Sequence, residues 1–327
     1  MTSIGTAEER RSRIGASEIG AIIGADPYLT AYQLARLKLE IDEPSEGSLG
    51  AREMGHVQEG MIAEYYTRKT GRALMPGGEF IHPDHPWLVV HPDRVVEGGD
   101  RLLECKTSGI LERWGDPGTS DVPLSAMAQS LIQAEVVNSC REEDTIRVVD
   151  VGAYTRVTVP PAFYHVMREG EDELVSSIMA SVVAFRALLV AGKLPEPKTL
   201  DDLKVARPEA PSQDTFLDIE DAEEVRGMLT RYVSLSERGY TGSKEKDKIR
   251  DTIAKIILQN DATGLCNAKG TALVEYRHTA GRFDSKRFQR EHPELYDEYR
   301  DDVGPRTFRI TPEGKVYFLQ HGPEPEA

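Results

Sequence analysis

The sequence predicts an α/β fold, and two patterns point there. Segments with helical periodicity alternate with short runs of β-branched residues. A charged stretch rich in proline, residues 194–215, then separates a larger N-terminal region from a smaller C-terminal one. Residues 1–193 read as one domain, 194–215 as a linker, and 216–327 as a C-terminal extension holding a helical hairpin and a small α+β piece. A chain of 327 residues has ample core for this division.

Ala16 to Ile23 reads as a first helix that Gly24 can end. Asp26-Pro27-Tyr28 turns the chain, and Thr30 caps Ala31–Leu39. Glu43–Gly50, rich in Glu, Ser and Gly, reads as a loop. Arg52–Thr70 follows as a helix stopped by Gly71. Its apolar stripe is Met54, Val57, Met61, Ile62 and Tyr65, with Glu59 at the edge beside Ile62 and Tyr66. After a loop through His82-Pro83-Asp84-His85-Pro86-Trp87, Val89–Thr107 reads as a hairpin around Glu97-Gly98-Gly99-Asp100. Residues 111–122 are loop-like, 123–137 helical, and Thr145–Val159 strand, before Pro160-Pro161 introduces a helix running to about Ala191. Beyond the linker, Asp218–Leu258 reads as two helices broken near Gly239–Gly242, with Val225, Leu229 and Val233 spaced four apart. Thr271–His278 is expected as a strand, Phe283–Tyr299 as a helix and Phe308–Ile310 as a last strand. The helical pair is a candidate for partner binding or oligomerisation.

The hairpin is the most informative element. Its turn fixes a register in which Asp93 lies directly across from Glu104, and like charges so placed repel. Lys106, two residues further, shares the face of Glu104. Such a trio is ordinary on a solvated hairpin. Here Leu88, Val89, Val90, Leu102 and Leu103 mark a buried strand pair, where charge is costly without a purpose. A cation between the two carboxylates would supply one. His91 falls across from Lys106 in the same register.

Composition bounds the function. The net charge of −15 argues against a protein that coats DNA through a broad basic surface, though not against one that grips it locally. No apolar run approaches the ~20 residues of a membrane span and no signal-peptide core opens the chain, so no membrane is expected. Cys105, Cys140 and Cys266 are far apart, which leaves neither a disulfide framework nor a structural zinc or iron–sulfur site, and a cytoplasmic setting is expected. His82, His85 and His91 lack zinc-site spacing, and Asp/Glu oxygens suit Mg²⁺ or Mn²⁺ better.

Pro92-Asp93 followed by Glu104-Cys105-Lys106 resembles the catalytic core of PD-(D/E)XK nucleases. The resemblance narrows when ordered segments are taken together. Arg13-Ile14-Gly15-Ala16-Ser17-Glu18-Ile19, Ile23-Gly24-Ala25-Asp26-Pro27-Tyr28, Gly55-His56 with Glu59, His85-Pro86-Trp87 and Leu103-Glu104-Cys105-Lys106-Thr107 are together similar to the YqaJ-type phage recombinase nucleases, the lambda exonuclease-like group. The likeness covers about residues 10–190. A segment from Phe283 through His292-Pro293-Glu294-Leu295-Tyr296 to Phe308 also looks like an extension of some phage members.

This resemblance implies a restriction-endonuclease-like core, a mixed central sheet flanked by helices. It implies that Asp93, Glu104 and the Cys105 carbonyl bind Mg²⁺, which Mn²⁺ can replace, with Glu59 completing the site. Lys106 would orient and help deprotonate the attacking water, and Ser17 with Arg10 or Arg13 would hold a terminal 5′-phosphate. The family carries Gln-x-Gln on the following helix. Here Gln129 keeps the first position, Leu131 occupies the second, and Gln133, one turn on, could substitute. The implied activity is metal-dependent digestion of duplex DNA, 5′ to 3′, to expose a single strand for recombination. A single-strand annealing protein is the implied partner and a homotrimeric ring the implied assembly. The alternatives are an endonuclease with the same chemistry and a non-catalytic DNA-end-binding protein.

Overall fold

The fold is described by a computed structural model for residues 12–43, 46–108, 114–142, 146–155, 160–207, 215–237, 243–278 and 306–321. The chain divides into two compact units, Met1–Glu196 and Pro197–Ala327.

The first unit begins with β1 (Ile14–Gly15), a 3₁₀ turn (Ala16–Glu18) and the short α1 (Ile19–Ile22). Next comes α2 (Ala31–Lys38), which starts at a capping box: Gln33 N–H donates to Thr30 Oγ1 at 3.1 Å and Thr30 N–H to Gln33 Oε1 at 3.2 Å. The helix α3 spans Glu46–Thr70 and stops at Gly71, whose φ of +72° suits glycine. It begins six residues before the expected Arg52. The Glu, Ser and Gly content of 43–50 read as loop, but intrinsic propensity is weak against continuation of a long helix.

Strands β2 (Leu74–Pro76), β3 (Phe80–Ile81), β4 (Leu88–Val90), β5 (Arg94–Val96) and β6 (Arg101–Ser108) follow. Then α4 (Leu124–Ser139) leads to β7 (Val148–Thr155), β8 (Ala162–Met167) and α5 (Asp172–Val190). The main sheet runs β2-β5-β6-β7-β8, with β6 and β7 parallel and the other neighbours antiparallel. A separate small sheet has the order β1-β4-β3. This is the mixed sheet between helices that the α/β reading expected.

The parallel pair requires a crossover, and α4 provides it. Its Ala126, Ala128, Leu131, Ile132, Ala134, Val136 and Val137 are all buried, as in a helix wrapped by a core on nearly every side. The other face of the sheet takes α3 through Ala63 and Tyr66, packed with Val96 and Leu103, and through buried Ile62. Gly152 of β7 permits that approach: a Cβ there would come within 2.5 Å of Ile62 Cγ2 and 3.0 Å of Phe163. The buried face of α3 thus differs from the expected stripe, since Val57 and Met61 are exposed.

The proline pair was read as opening a helix, but it opens β8 instead, where buried Tyr164 and Val166 alternate with outward residues. The helix begins only at Asp172. By length and composition α5 could cross a membrane. Val175, Ile178, Val182, Phe185 and Leu189 form a stripe that packs into the main core instead.

In the second unit, α6 (Leu200–Ala206) lies inside the segment read as a linker. Its Leu203 is buried in that unit's core, and Asp202 closes a capping box with Thr199. The expectation of a bare linker over 194–215 is corrected to that extent. The prolines at 195 and 197 lie just before this capping box and give the segment its linker-like composition. Next come β9 (Phe216–Asp218), α7 (Glu223–Glu237), α8 (Lys244–Gln259), β10 (Gly264–Cys266), β11 (Ala272–His278), β12 (Arg306–Ile310) and α9 (Pro312–His321). The sheet order is β12-β11-β10-β9, with β9 and β10 parallel. The helical hairpin is present, packed through Leu229, Val233, Ile253 and Ile257. The expected helix Phe283–Tyr299 lies outside the described residues, as does the phage-like segment around His292.

Candidate active site

The hairpin builds the site. β5 pairs antiparallel with β6 through Arg94↔Leu103 and Val95↔Leu102, the register read from the sequence. The next position brings Asp93 opposite Glu104. Asp93 Oδ2 accepts from the backbone N–H of Cys105 at 2.6 Å, while the Arg94 guanidinium donates to the Asp93 carbonyl at 2.6 Å. The chain before Asp93 is fitted closely, because a Cβ on Gly77 would collide with the Pro92 carbonyl.

Glu104 is buried, and α4 supplies partners for both of its oxygens. Gln129 Nε2 donates to Oε1 at 2.6 Å, and Gln133 Nε2 donates to Oε2 at 2.7 Å. Lys106 Nζ lies 2.9 Å from Glu104 Oε1 and donates to Gln129 Oε1 at 2.6 Å. Glu104, Lys106 and Gln129 therefore close a small ring of hydrogen bonds on one face of the sheet.

The charges are tightly linked. Burial, then the neighbouring Glu104 carboxylate, raise the proton affinity of Asp93 well above the carboxylate norm, with a smaller push from Glu59. Burial alone would pull the Lys106 ammonium down. Glu104 and Asp93 more than offset it, so Lys106 is held charged. The Cys105 thiol is pushed up by burial and by both carboxylates, and stays protonated.

Ser17, Lys106 and Gln129 line one cavity of about 250 Å³ with Tyr28 and Trp114. The loop bearing Ser17 is tethered: Lys38 Nζ donates to the Arg13 carbonyl at 2.6 Å and lies 2.8 Å from Glu18 Oε2. Glu18 Oε2 in turn accepts from Gly15 N–H at 3.0 Å. Arg13 pairs loosely with Glu79 at 3.6 Å, and Arg10 lies outside the described residues. His91 bonds Glu79 at 3.0 Å rather than facing Lys106, because the ladder ends before it. His82 and His85 pack with ring centres 4.8 Å apart and planes tilted by 44°, and His82 Nδ1 accepts from Asp84 N–H, so they order the loop.

On the opposite face, sequence reasoning missed buried Asp150 of β7. It meets the Tyr66 hydroxyl at 2.5 Å, Arg101 at 2.7 Å and His165 at 2.6 Å. Gln58, one residue from Glu59, accepts from Thr107 Oγ1 at 2.7 Å. These bonds seat α3 on the sheet. The signal for Asp150 was an acidic residue amid the apolar run Val148–Val151.

The donor set suits a hard divalent cation. Asp93 and Glu104 offer carboxylate oxygens, and the Cys105 carbonyl follows on the same strand. Gln133 Oε1 is buried with no donor among the described residues. Among the described residues no three His, Cys, Asp or Glu side chains gather closely enough to cage an ion. Glu59 acts on Asp93 through its charge without closing such a cluster. Two carboxylates with water and substrate oxygens are the usual setting for Mg²⁺.

Residues 7–139 match the model of the YqaJ-like viral recombinase domain. A protein of Bacillus subtilis strain 168, known as uncharacterized protein YqaJ, is 27% identical over 124 residues, covering 37% of this chain and 38% of that protein. The chain thus spans well under half of that relative. Among solved structures, an alkaline exonuclease from Laribacter hongkongensis is 20% identical, covering 57% of this chain and 94% of that one, with a TM-score of 0.42. A phage related exonuclease from Haemophilus somnus 129PT is 13% identical over 57% of this chain and 96% of that one, with a TM-score of 0.37. The stretch holding Ser17, Glu59, Asp93, Glu104, Lys106, Gln129 and Gln133 is thus the part of this chain that is similar to the YqaJ-like viral recombinase domain.

Proposed function

We propose that this protein is a metal-dependent DNA exonuclease that digests duplex DNA from a 5′ end. The observation that carries the reading is the juxtaposition of Asp93 and Glu104 with Lys106 beside a cavity that also reaches Ser17. The match of residues 7–139 to a viral recombinase domain supports it.

Asp93, Glu104 and the Cys105 carbonyl would hold Mg²⁺ or Mn²⁺, with Glu59 adjusting the charge. A bound divalent ion would offset charge on the scissile phosphate and make its water more acidic. Lys106, which lines the cavity and donates to Gln129, would orient the attacking water. It yields a proton only once the charge of Glu104 is otherwise engaged, because Glu104 is what keeps it protonated. Gln129 holds Lys106 and Glu104 at a fixed spacing. Ser17, on a tethered 3₁₀ turn, is suited to grip a terminal phosphate. Its presence in the same cavity as Lys106 favours an end-dependent enzyme over an endonuclease.

Family resemblance further implies a homotrimer and a single-strand annealing protein that takes the exposed strand, with residues 216–327 the candidate docking unit. The deciding experiment incubates the protein with linear and covalently closed duplex DNA, with Mg²⁺ or EDTA, beside Lys106→Ala. Loss of the linear DNA alone, abolished by EDTA and by the substitution, is the expected outcome. Cutting of the circle would establish an endonuclease, and binding without hydrolysis would leave a DNA-end-binding protein.

A further inference from the structure

We infer that Gln133 is a positioning residue for the candidate nuclease site, fixing the plane of the Glu104 carboxylate; the inference rests on the nuclease reading above. Gln129 and Gln133 are four residues apart on α4, so their side chains leave the helix on nearly the same side. Leu131, two residues from each, points away and is buried in the main core. The helix therefore offers Glu104 one amide per oxygen, at 2.6 and 2.7 Å.

The two amides do different work. Gln129 also accepts from Lys106, so its bond to Oε1 is part of the ring that spaces lysine and carboxylate. That bond alone leaves the carboxylate free to rotate about the axis through Oε1. The bond from Gln133 to Oε2 removes this freedom and fixes the plane of the carboxylate. Gln133 is itself 1% exposed, which makes its geometry rigid. Its Oε1 has no donor among the described residues, so the amide is committed through Nε2 to Glu104 alone.

Gln133→Met keeps the volume and removes the donor. Mn²⁺ binding by titration calorimetry, thermal unfolding in EDTA, and cleavage of linear duplex as a function of metal concentration are measured beside the parent and Gln133→Ala. The expectation is a roughly tenfold weaker Mn²⁺ affinity, the scale seen when a partner of a metal ligand is lost. The metal concentration for half-maximal cleavage should rise by the same factor, with the rate at saturating metal changed only a few-fold. Parent-like Mn²⁺ affinity in a folded Gln133→Met would overturn the inference while leaving the nuclease reading intact. A lower folded fraction with an unchanged metal midpoint would overturn it as well, reducing Gln133 to packing. A parent that neither binds Mn²⁺ nor cleaves would overturn both. If Gln133→Ala loses its fold, Gln133→Met still decides.

Discussion

Asp93 accepts a 2.6 Å hydrogen bond from the backbone N–H of Cys105, so the strand that carries Glu104 also clamps the carboxylate facing it. Two acidic groups are thereby held together although the charge of Glu104 makes Asp93 harder to ionise. Without a cation this arrangement stores repulsion.

Removing the charge of Asp93 should trade activity for stability. If Asp93 is the proposed inner ligand, Asp93→Asn is expected to lose more than about 100-fold in cleavage, since such a ligand matters at least as much as its outer partners. In EDTA it should melt higher than the parent at pH 7.5. The folded proton affinity of Asp93 is raised by burial and by Glu104, so the folded state binds more protons than the unfolded one above the ordinary value of 3.8. Parent stability should therefore fall as pH rises through the folded pKa. Denaturant melts of both proteins from pH 4 upward check this, and parallel slopes would contradict it.

Tyr66 should dominate the alkaline limb. Burial, then the bond to Asp150, push its hydroxyl up to about 12 from 10.0. The unfolded state sheds this proton first, so the stabilisation is whole below pH 10 and lost as pH rises through 12. Tyr66→Phe should flatten that slope. At neutral pH it should cost about 1.5–3 kcal/mol, the range for a bond to a charged acceptor, by urea unfolding.

Gly77→Ala should damage the site from outside it. The new methyl collides with the Pro92 carbonyl, which is backbone and cannot rotate away. Displacement of Asp93 should lower cleavage at least tenfold. Overpacking of this kind costs about 1–3 kcal/mol in a melt. Gly71→Ala, with nothing near its Cβ but a φ of +72°, is the control that should reduce stability and spare the metal dependence.

Lys38→Met should loosen the turn that carries Ser17, since Lys38 ties Glu18 to the Arg13 carbonyl. The rate ratio between 5′-phosphorylated and 5′-hydroxyl ends should fall roughly tenfold, the worth of one charge-assisted bond. Cleavage of 5′-hydroxyl ends should be nearly unchanged, and an equal loss on both substrates would count against Ser17 as the phosphate anchor.

The hairpin was legible because everything that sets it is local: a Gly-Gly turn, alternation, and a register that follows from both. Gln133 was legible as a stand-in for the missing second glutamine, because helical spacing alone puts it on the face of Gln129. The face of α3 was not. Tyr66 is buried by Asp150, 84 residues away, and no periodicity within the helix shows that partner. Proline at 160–161 is equally consistent with a strand or a helix start, and the choice of β8 was made by pairing with β7. The helix inside the linker was hidden by composition, though Thr199 and Asp202 carried a capping signal.

Because α4 is the crossover between parallel β6 and β7, the candidate site is a late product of folding. An emerging chain that has reached Lys106 has its acidic hairpin but neither glutamine, and α4 is seated only when β7 adds beside β6. Parallel pairing must wait for the intervening segment to be made and returned. The consequence is a built-in delay. A ribosome-bound fragment ending before Val148 would hold the acidic residues and the lysine without the strand beside which α4 is seated. The candidate site would be complete with the last strands of its sheet, while the second unit is still to be made.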